Sequence, residues 1–231
     1  MISITFFLHP TRKDNFDRLH EAYSKYQFVN EVLVVTGKNV SFPNAHEKFK
    51  FVHFDGPYEY GAWPHLGLLA RYIFAVSCRN RFVFIQDDDM LYTEESIKKL
   101  YNMQGPIAGF AQRWYINGIY QSEPPETQSD ATTAPMILTS GVMIDAYYMP
   151  DVIKLAKEFF GGNYQKIFNG EDIFMSRAMA YITGQNEFPF IKDGSTKLFN
   201  HNVQLYKKFH NHKTRAQFCQ LVYDFFQRKS L

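Results

Sequence analysis

The chain has 231 residues, 45% hydrophobic and 17% aromatic, with a formal net charge of +2. Its 23 Phe and 15 Tyr stock a core and exclude a disordered chain, and its length suits one sizeable α/β domain over residues 1–231. So mild a charge gives no case for a nucleic-acid partner.

The charge is unevenly spread, however. Residues 191–231 carry eight Lys or Arg against two acids, so the tail is +6 and the remainder −4. Such a tail is either a solvated basic face or a segment that folds back to hold a polyanion. Cys78 and Cys219 have no metal-ligand spacing and read as reduced thiols. MISITFFLHPTRKD lacks the features of a secretion signal, and no run of about 18 apolar residues occurs. The expected setting is cytoplasmic, the alternative being the Golgi lumen for a chain trimmed of its anchor.

In chain order, Ile2 to Leu8 (ISITFFL) reads as a buried strand, and Asp14 to Tyr26 as a helix with Phe16, Leu19, His20 and Tyr23 on one stripe. Glu31 to Gly37 and Phe49 to Phe54 read as strands two and three. A helix starting at Pro64 carries Leu66, Leu69, Tyr72 and Ile73, and FVFI, Phe82 to Ile85, is the fourth strand. Thr93 caps a helix running to Tyr101. Pro106 to Tyr115 reads as one strand, Asn117 to Ala134 as a mobile polar loop, and Ala134 to Asp145 as one strand whose Gly141 marks a close approach. Pro150 to Phe160 is a helix closed by Gly161 and Gly162, and Asn169 caps a further helix beginning GEDIFMSRAMAYI. This alternation predicts a mainly parallel sheet.

The stretch FVFIQDDDM places Asp87, Asp88 and Asp89 at the C-terminal end of a central strand, the edge where open α/β sheets bind ligands. Strand alternation points Asp87 and Asp89 to one side and Asp88 to the other. All-oxygen ligands suit Mg²⁺ or Mn²⁺. The blander reading is a solvated loop start, or acids paired with the basic tail. GxxxxGK[ST], GxGxxG after the first strand, HExxH and GxSxG are all missing, so the chemistry attached to those motifs is not indicated. Glu171 and Asp172 open a helix, where the dipole favours acids whatever the function. Trp63, Trp114 and Tyr115 are either core aromatics or platforms for a sugar or base.

A larger pattern joins these features. Arg12 follows the first strand, and Arg71 lies on the helix before FVFIQDDDM. MILTSGVMI, NGEDIFMSRAMAYITG and HNHKTRAQFCQLVYDFF then follow in order. Together they resemble glycosyltransferases of the GT-A fold, and are most similar to the exostosin-type family.

The resemblance implies an α/β GT-A domain with a Rossmann-like, mostly parallel sheet. Residues 1–104 would form its nucleotide-binding half and residues 105–231 its acceptor-binding half. It implies metal-dependent transfer of a sugar from a UDP-sugar donor to a carbohydrate acceptor hydroxyl. In that scheme Asp87 contacts ribose or metal, Asp89 coordinates Mn²⁺ (or Mg²⁺) at the donor diphosphate, and Asp88 supports them. Arg12, Arg71 and Arg215 are anion partners. One of His201, His210 and His212 completes the metal shell, with His212 first in line. Asp172 serves the acceptor, as base if the reaction inverts or as a stabiliser if it retains, with Glu171 as substitute. The competing expectations are a sugar-1-phosphate nucleotidyltransferase, which usually has glycine where HPTRKD has none, and a catalytically silent carbohydrate-binding module of the same fold.

Overall fold

The computed structural model describes residues 1–38, 40–54, 69–125, 130–162, 170–192, 195–198 and 212–230. The uncharged run Ile2 to Phe7 forms β1 and is buried at every position. α1 (Lys13–Lys25) turns Phe16, Leu19 and Tyr23 inward and leads to β2 (Val29–Gly37) and β3 (Phe49–Phe54). α2 (Ala70–Ala75) precedes β4 (Phe82–Asp87), after which come β5 (Met90–Tyr92) and α3 (Glu94–Asn102). The Thr93 hydroxyl accepts from the Ser96 amide at 3.1 Å, capping α3 as expected. The expected helix start at Pro64 lies outside the described residues, as does Trp63.

The remaining elements are β6 (Ile107–Gly109), β7 (Gln112–Ile116), β8 (Ile119–Gln121), β9 (Thr133–Ala134), β10 (Met136–Ile137) and β11 (Val142–Asp145). Then follow α4 (Met149–Phe160), α5 (Glu171–Thr183), β12 (Phe188–Pro189), β13 (Ser195–Lys197) and α6 (His212–Lys229). The central sheet has the order β3-β2-β1-β4-β11-β6. β1 to β4 run parallel, and β11 lies antiparallel between β4 and β6.

Both long strands expected in the second half are broken. Pro106 to Tyr115 divides at Phe110 and Ala111, because β6 stays in the central sheet while β7 pairs with β8 and β10. Ala134 to Asp145 divides at Gly141, whose φ of +85° turns the chain. A Cβ there would lie 2.4 Å from the Tyr92 hydroxyl, so the expected close approach is present. The polar stretch after Asn117 is not loop throughout. Asn117 and Gly118, at φ +50° and +81°, make a tight hairpin turn between β7 and β8, and β9 follows. Gly170 holds the N-cap position of α5, and Asn169 lies outside the described residues.

Pleating sends side chains to two apolar layers. Ile2, Ile4, Phe6 and Phe84 join Phe16, Leu19 and Tyr23 of α1 and Ile97 and Leu100 of α3. Val83, Ile85, Val142 and Ile144 join Tyr72 of α2, Val152 of α4, Phe174 and Ala178 of α5 and Phe226 of α6.

Candidate active site

The strand order places β2 and β3 to one side of β1, with β4 on the other, so successive crossovers leave in opposite directions between β1 and β4. Such a switch point opens a crevice at the C-terminal strand ends. Phe7 is in register with Asp87, so the loop after β1 and the acidic triplet share that edge. α1 begins immediately after Arg12.

Each acid has a guanidinium within reach. Asp87, of the same parity as Val83 and Ile85, accepts a 2.6 Å hydrogen bond from Arg71 Nη1 on α2. Asp88 falls on the opposite face, where its Oδ1 accepts from Arg12 Nη1 and its Oδ2 from the His9 amide at 2.8 Å. Asp89 Oδ2 lies 3.5 Å from the same Arg12 Nη1. Asp88 and Asp89 thus share one guanidinium, because regular strand ends at Asp87 and the next two residues turn into β5. Burial pushes the Asp88 carboxyl above its ordinary range, while Arg12 and the His9 amide pull it part of the way back. Arg12 loses by burial but gains more from Asp88 and Asp89, and stays above its usual value.

A second polar cluster is built by α5 and α6. Asp172 is buried, with Arg215 Nη2 at 3.5 Å from its Oδ2, and Arg215 Nη1 donates to the Tyr120 hydroxyl at 2.7 Å. Glu171, also buried, accepts from the Thr139 hydroxyl at 3.0 Å and from the Gly170 amide at 3.1 Å. Burial, then the neighbouring Asp172, raises the Glu171 carboxyl above its ordinary value. Burial lowers Arg215, but Asp172, Tyr120 and Glu171 more than offset it. Burial, with Asp172 adding, pushes the Cys219 thiol up to about 12, which leaves it unreactive near neutrality. Burial, with the carboxylates of Glu171, Asp172 and Asp87 adding, raises the Tyr72 phenol on α2 well above its ordinary value.

Among the described residues no three His, Cys, Asp or Glu groups gather to hold a cation. Magnesium-type sites, however, need only one or two carboxylates plus water and substrate phosphate oxygens. Asp87 and Asp89, with side chains 32% and 27% exposed, have the donor chemistry and the open face for this; Asp88, at 7%, does not. His201 and His210 lie outside the described residues, and so does the side chain of His212. Trp114 is core, and Tyr115 bonds Gln220 on α6. The sequence reading missed Tyr120 and Thr139. The Asn117-Gly118 hairpin signal would have placed Tyr120 on a strand; nothing comparable marks Thr139.

No protein-family profile matches the chain, and no curated protein matches it. Solved structures do. The glycosyltransferase GlyE of Streptococcus pneumoniae TIGR4 superposes with a TM-score of 0.50 at 10% identity, covering 83% of this chain and 45% of that one. S. aureus TarS 1–349 gives 0.50 at 13% identity, covering 98% of this chain and 71% of that one. The 4-diphosphocytidyl-2C-methyl-D-erythritol synthase of Anaerococcus prevotii gives 0.49 at 9%, covering 94% and 96%. This chain therefore spans under half of the GlyE chain and most of the TarS fragment. With its mostly parallel six-stranded sheet flanked by helices on both faces, the chain has the GT-A fold.

Proposed function

We propose that the chain is a metal-dependent glycosyltransferase that moves a sugar from a UDP-sugar to a carbohydrate hydroxyl. One observation carries this reading: Asp87 and Asp89 stand partly exposed beside Arg12 and Arg71 at the switch-point edge of a GT-A sheet. The motif order that resembles the exostosin-type family supports it. Asp87 and Asp89 would hold Mn²⁺ or Mg²⁺, which supplies positive charge to the departing diphosphate. Arg71 and Arg12 offer paired donors to phosphate oxygens and keep the triplet from repelling itself when no ligand is present. Asp172 serves the acceptor hydroxyl. It is covered by Arg215, so the carboxylate can meet an acceptor only if that guanidinium turns aside. Glu171, with each carboxylate oxygen already bonded, holds the start of α5 in place.

The test is calorimetric titration of UDP with and without Mn²⁺, on the natural chain and on Asp89→Ala. Binding that requires Mn²⁺ and is lost in Asp89→Ala, with an unchanged melting temperature, is expected. Metal-independent binding, or full affinity in the variant, refutes the metal assignment. Absence of UDP binding under both conditions refutes the donor and favours the silent-module reading.

A further inference from the structure

Tyr23, Tyr72 and Tyr92 are each 1% exposed or less. A phenol taken out of water needs a partner for its hydroxyl, and two of the three have one. Tyr23 donates to the Gln86 side chain, and Tyr92 to the Ser140 carbonyl at 3.0 Å. The Tyr72 hydroxyl is as deeply buried and has no hydrogen-bond partner among the described residues. Phe would fill the same space without that penalty, so the hydroxyl points to a partner that the ligand-free fold does not contain.

The position of Tyr72 narrows what that partner is. It stands in the first turn of α2 beside Arg71, whose guanidinium reaches Asp87 at the end of β4. Its ring packs in the apolar layer of Val83 and Ile85, the face of β4 that Asp87 continues. The same layer takes in Ile173, directly after Asp172, and Tyr120, which holds Arg215. Glu171 is bonded to Thr139, three residues before Val142, and Val142 lies opposite Ile85, so the start of α5 belongs to the same sheet edge. Tyr72 therefore sits beneath the interval between Asp87 and the α5 acids. Burial first, then Glu171, Asp172 and Asp87, keep its phenol protonated, a donor standing among carboxylates that do not accept from it.

The geometry points to Tyr72 as a specificity-determining contact for the donor sugar, its hydroxyl donating to a ring hydroxyl of the group transferred. This rests on the glycosyltransferase reading, in which that sugar has to lie between a diphosphate at Asp87 and Asp89 and an acceptor at Asp172. A phosphate oxygen suits the position poorly, since it would be set beside Glu171 and Asp172 and repelled. A sugar hydroxyl is neutral, accepts from Tyr72 and can donate to a neighbouring carboxylate. Because the Tyr72 hydroxyl is enclosed, it meets the sugar only if the side chains over it move aside.

Tyr72→Phe tests this in two measurements. In thermal melting of the ligand-free protein the variant should hold or gain, by up to about 4 °C, because it deletes an unpaired buried hydroxyl. In calorimetric titrations with Mn²⁺, UDP should bind the variant as it binds the natural chain. Whichever of UDP-glucose, UDP-galactose and UDP-N-acetylglucosamine binds the natural chain should bind the variant about three- to tenfold more weakly, the loss of one hydrogen bond. A melting temperature lowered by more than about 2 °C would reveal a partner inside the fold and overturn the inference. Equal losses for UDP and UDP-sugar put the contact on the nucleotide or diphosphate and overturn it as well. A natural chain that binds none of the three UDP-sugars sinks the donor reading and this inference with it, whereas a UDP-sugar bound equally by both chains sinks the inference alone.

Discussion

Gly170 offers a quantitative handle on how α6 is held against α5. A Cβ at this position would lie 2.6 Å from both Cδ1 and Cε1 of Phe218 and 3.4 Å from its Cγ. Carbon atoms settle at about 3.5–4.0 Å, so Gly170→Ala must drive the ring back by roughly 1 Å. The φ of −170° lies outside the left-handed range that demands glycine. Overpacking of this kind costs about 1–3 kcal/mol, and poorer N-capping by Ala adds a few tenths. Lower chain entropy in the unfolded state returns about 0.4–1 kcal/mol, leaving a net loss of about 0.3–3 kcal/mol. Phe218 follows Arg215 by three residues on α6, so the same displacement stretches the Arg215 contacts to Asp172 and Tyr120. Urea denaturation of Gly170→Ala, Phe218→Leu and the double variant measures the coupling. The double variant should recover more than half of the Gly170→Ala loss; on the proposed glycosyltransferase reading, turnover should fall while UDP affinity holds, because Asp87 and Asp89 belong to other elements. Additive losses within about 0.5 kcal/mol would show that the ring contact is not the cause.

Three further outcomes are expected. Because Glu171 binds its proton more tightly folded than unfolded, stability should decline as pH rises from the ordinary glutamate range through the raised folded value, then level. Glu171→Gln should flatten that decline in melting curves taken across pH, and an undiminished slope assigns it elsewhere. Asp88→Ala removes a carboxylate from Arg12 and the acceptor of the His9 amide, for a loss of about 3 kcal/mol in urea denaturation. Asp88→Asn keeps an acceptor for the His9 amide and loses only the charge beside Arg12, so it should cost less than Asp88→Ala; equal losses would contradict this. Gly141→Ala combines a left-handed backbone with a 2.4 Å approach to Tyr92, and should cost about 3 kcal/mol or more by the same assay.

Most of the first half of the fold was legible, because β1, β2 and β4 centre on short apolar runs, β3 alternates apolar and polar residues, and Thr93 has a capping side chain with a specific partner; the short β5 was not anticipated. The second half was harder for a physical reason. Hydrophobic periodicity reports burial, not which sheet a residue joins, so Pro106 to Tyr115 looked continuous although Gly109 and Gln112 belong to different sheets. The Asn117-Gly118 turn carried its own signal, obscured by the polar residues after it. At the site, three acids following an apolar strand could be located from sequence. The turn that gives Asp88 and Asp89 the same arginine could not, because it depends on where the strand stops. The burial of Asp172 beneath Arg215 likewise follows from the packing of α6 on α5, across 42 intervening residues.

The position of β11 limits how this molecule can move. It carries residues of the second half of the sequence, yet its backbone is bonded along β4, from Val142 opposite Ile85 to Asp145 opposite Phe82, and again along β6. A hinge that swung the two sequence halves apart would have to tear that ladder inside a covered sheet. Any rearrangement over the crevice must therefore leave β4, β11 and β6 joined, and the sheet acts as a fixed bench.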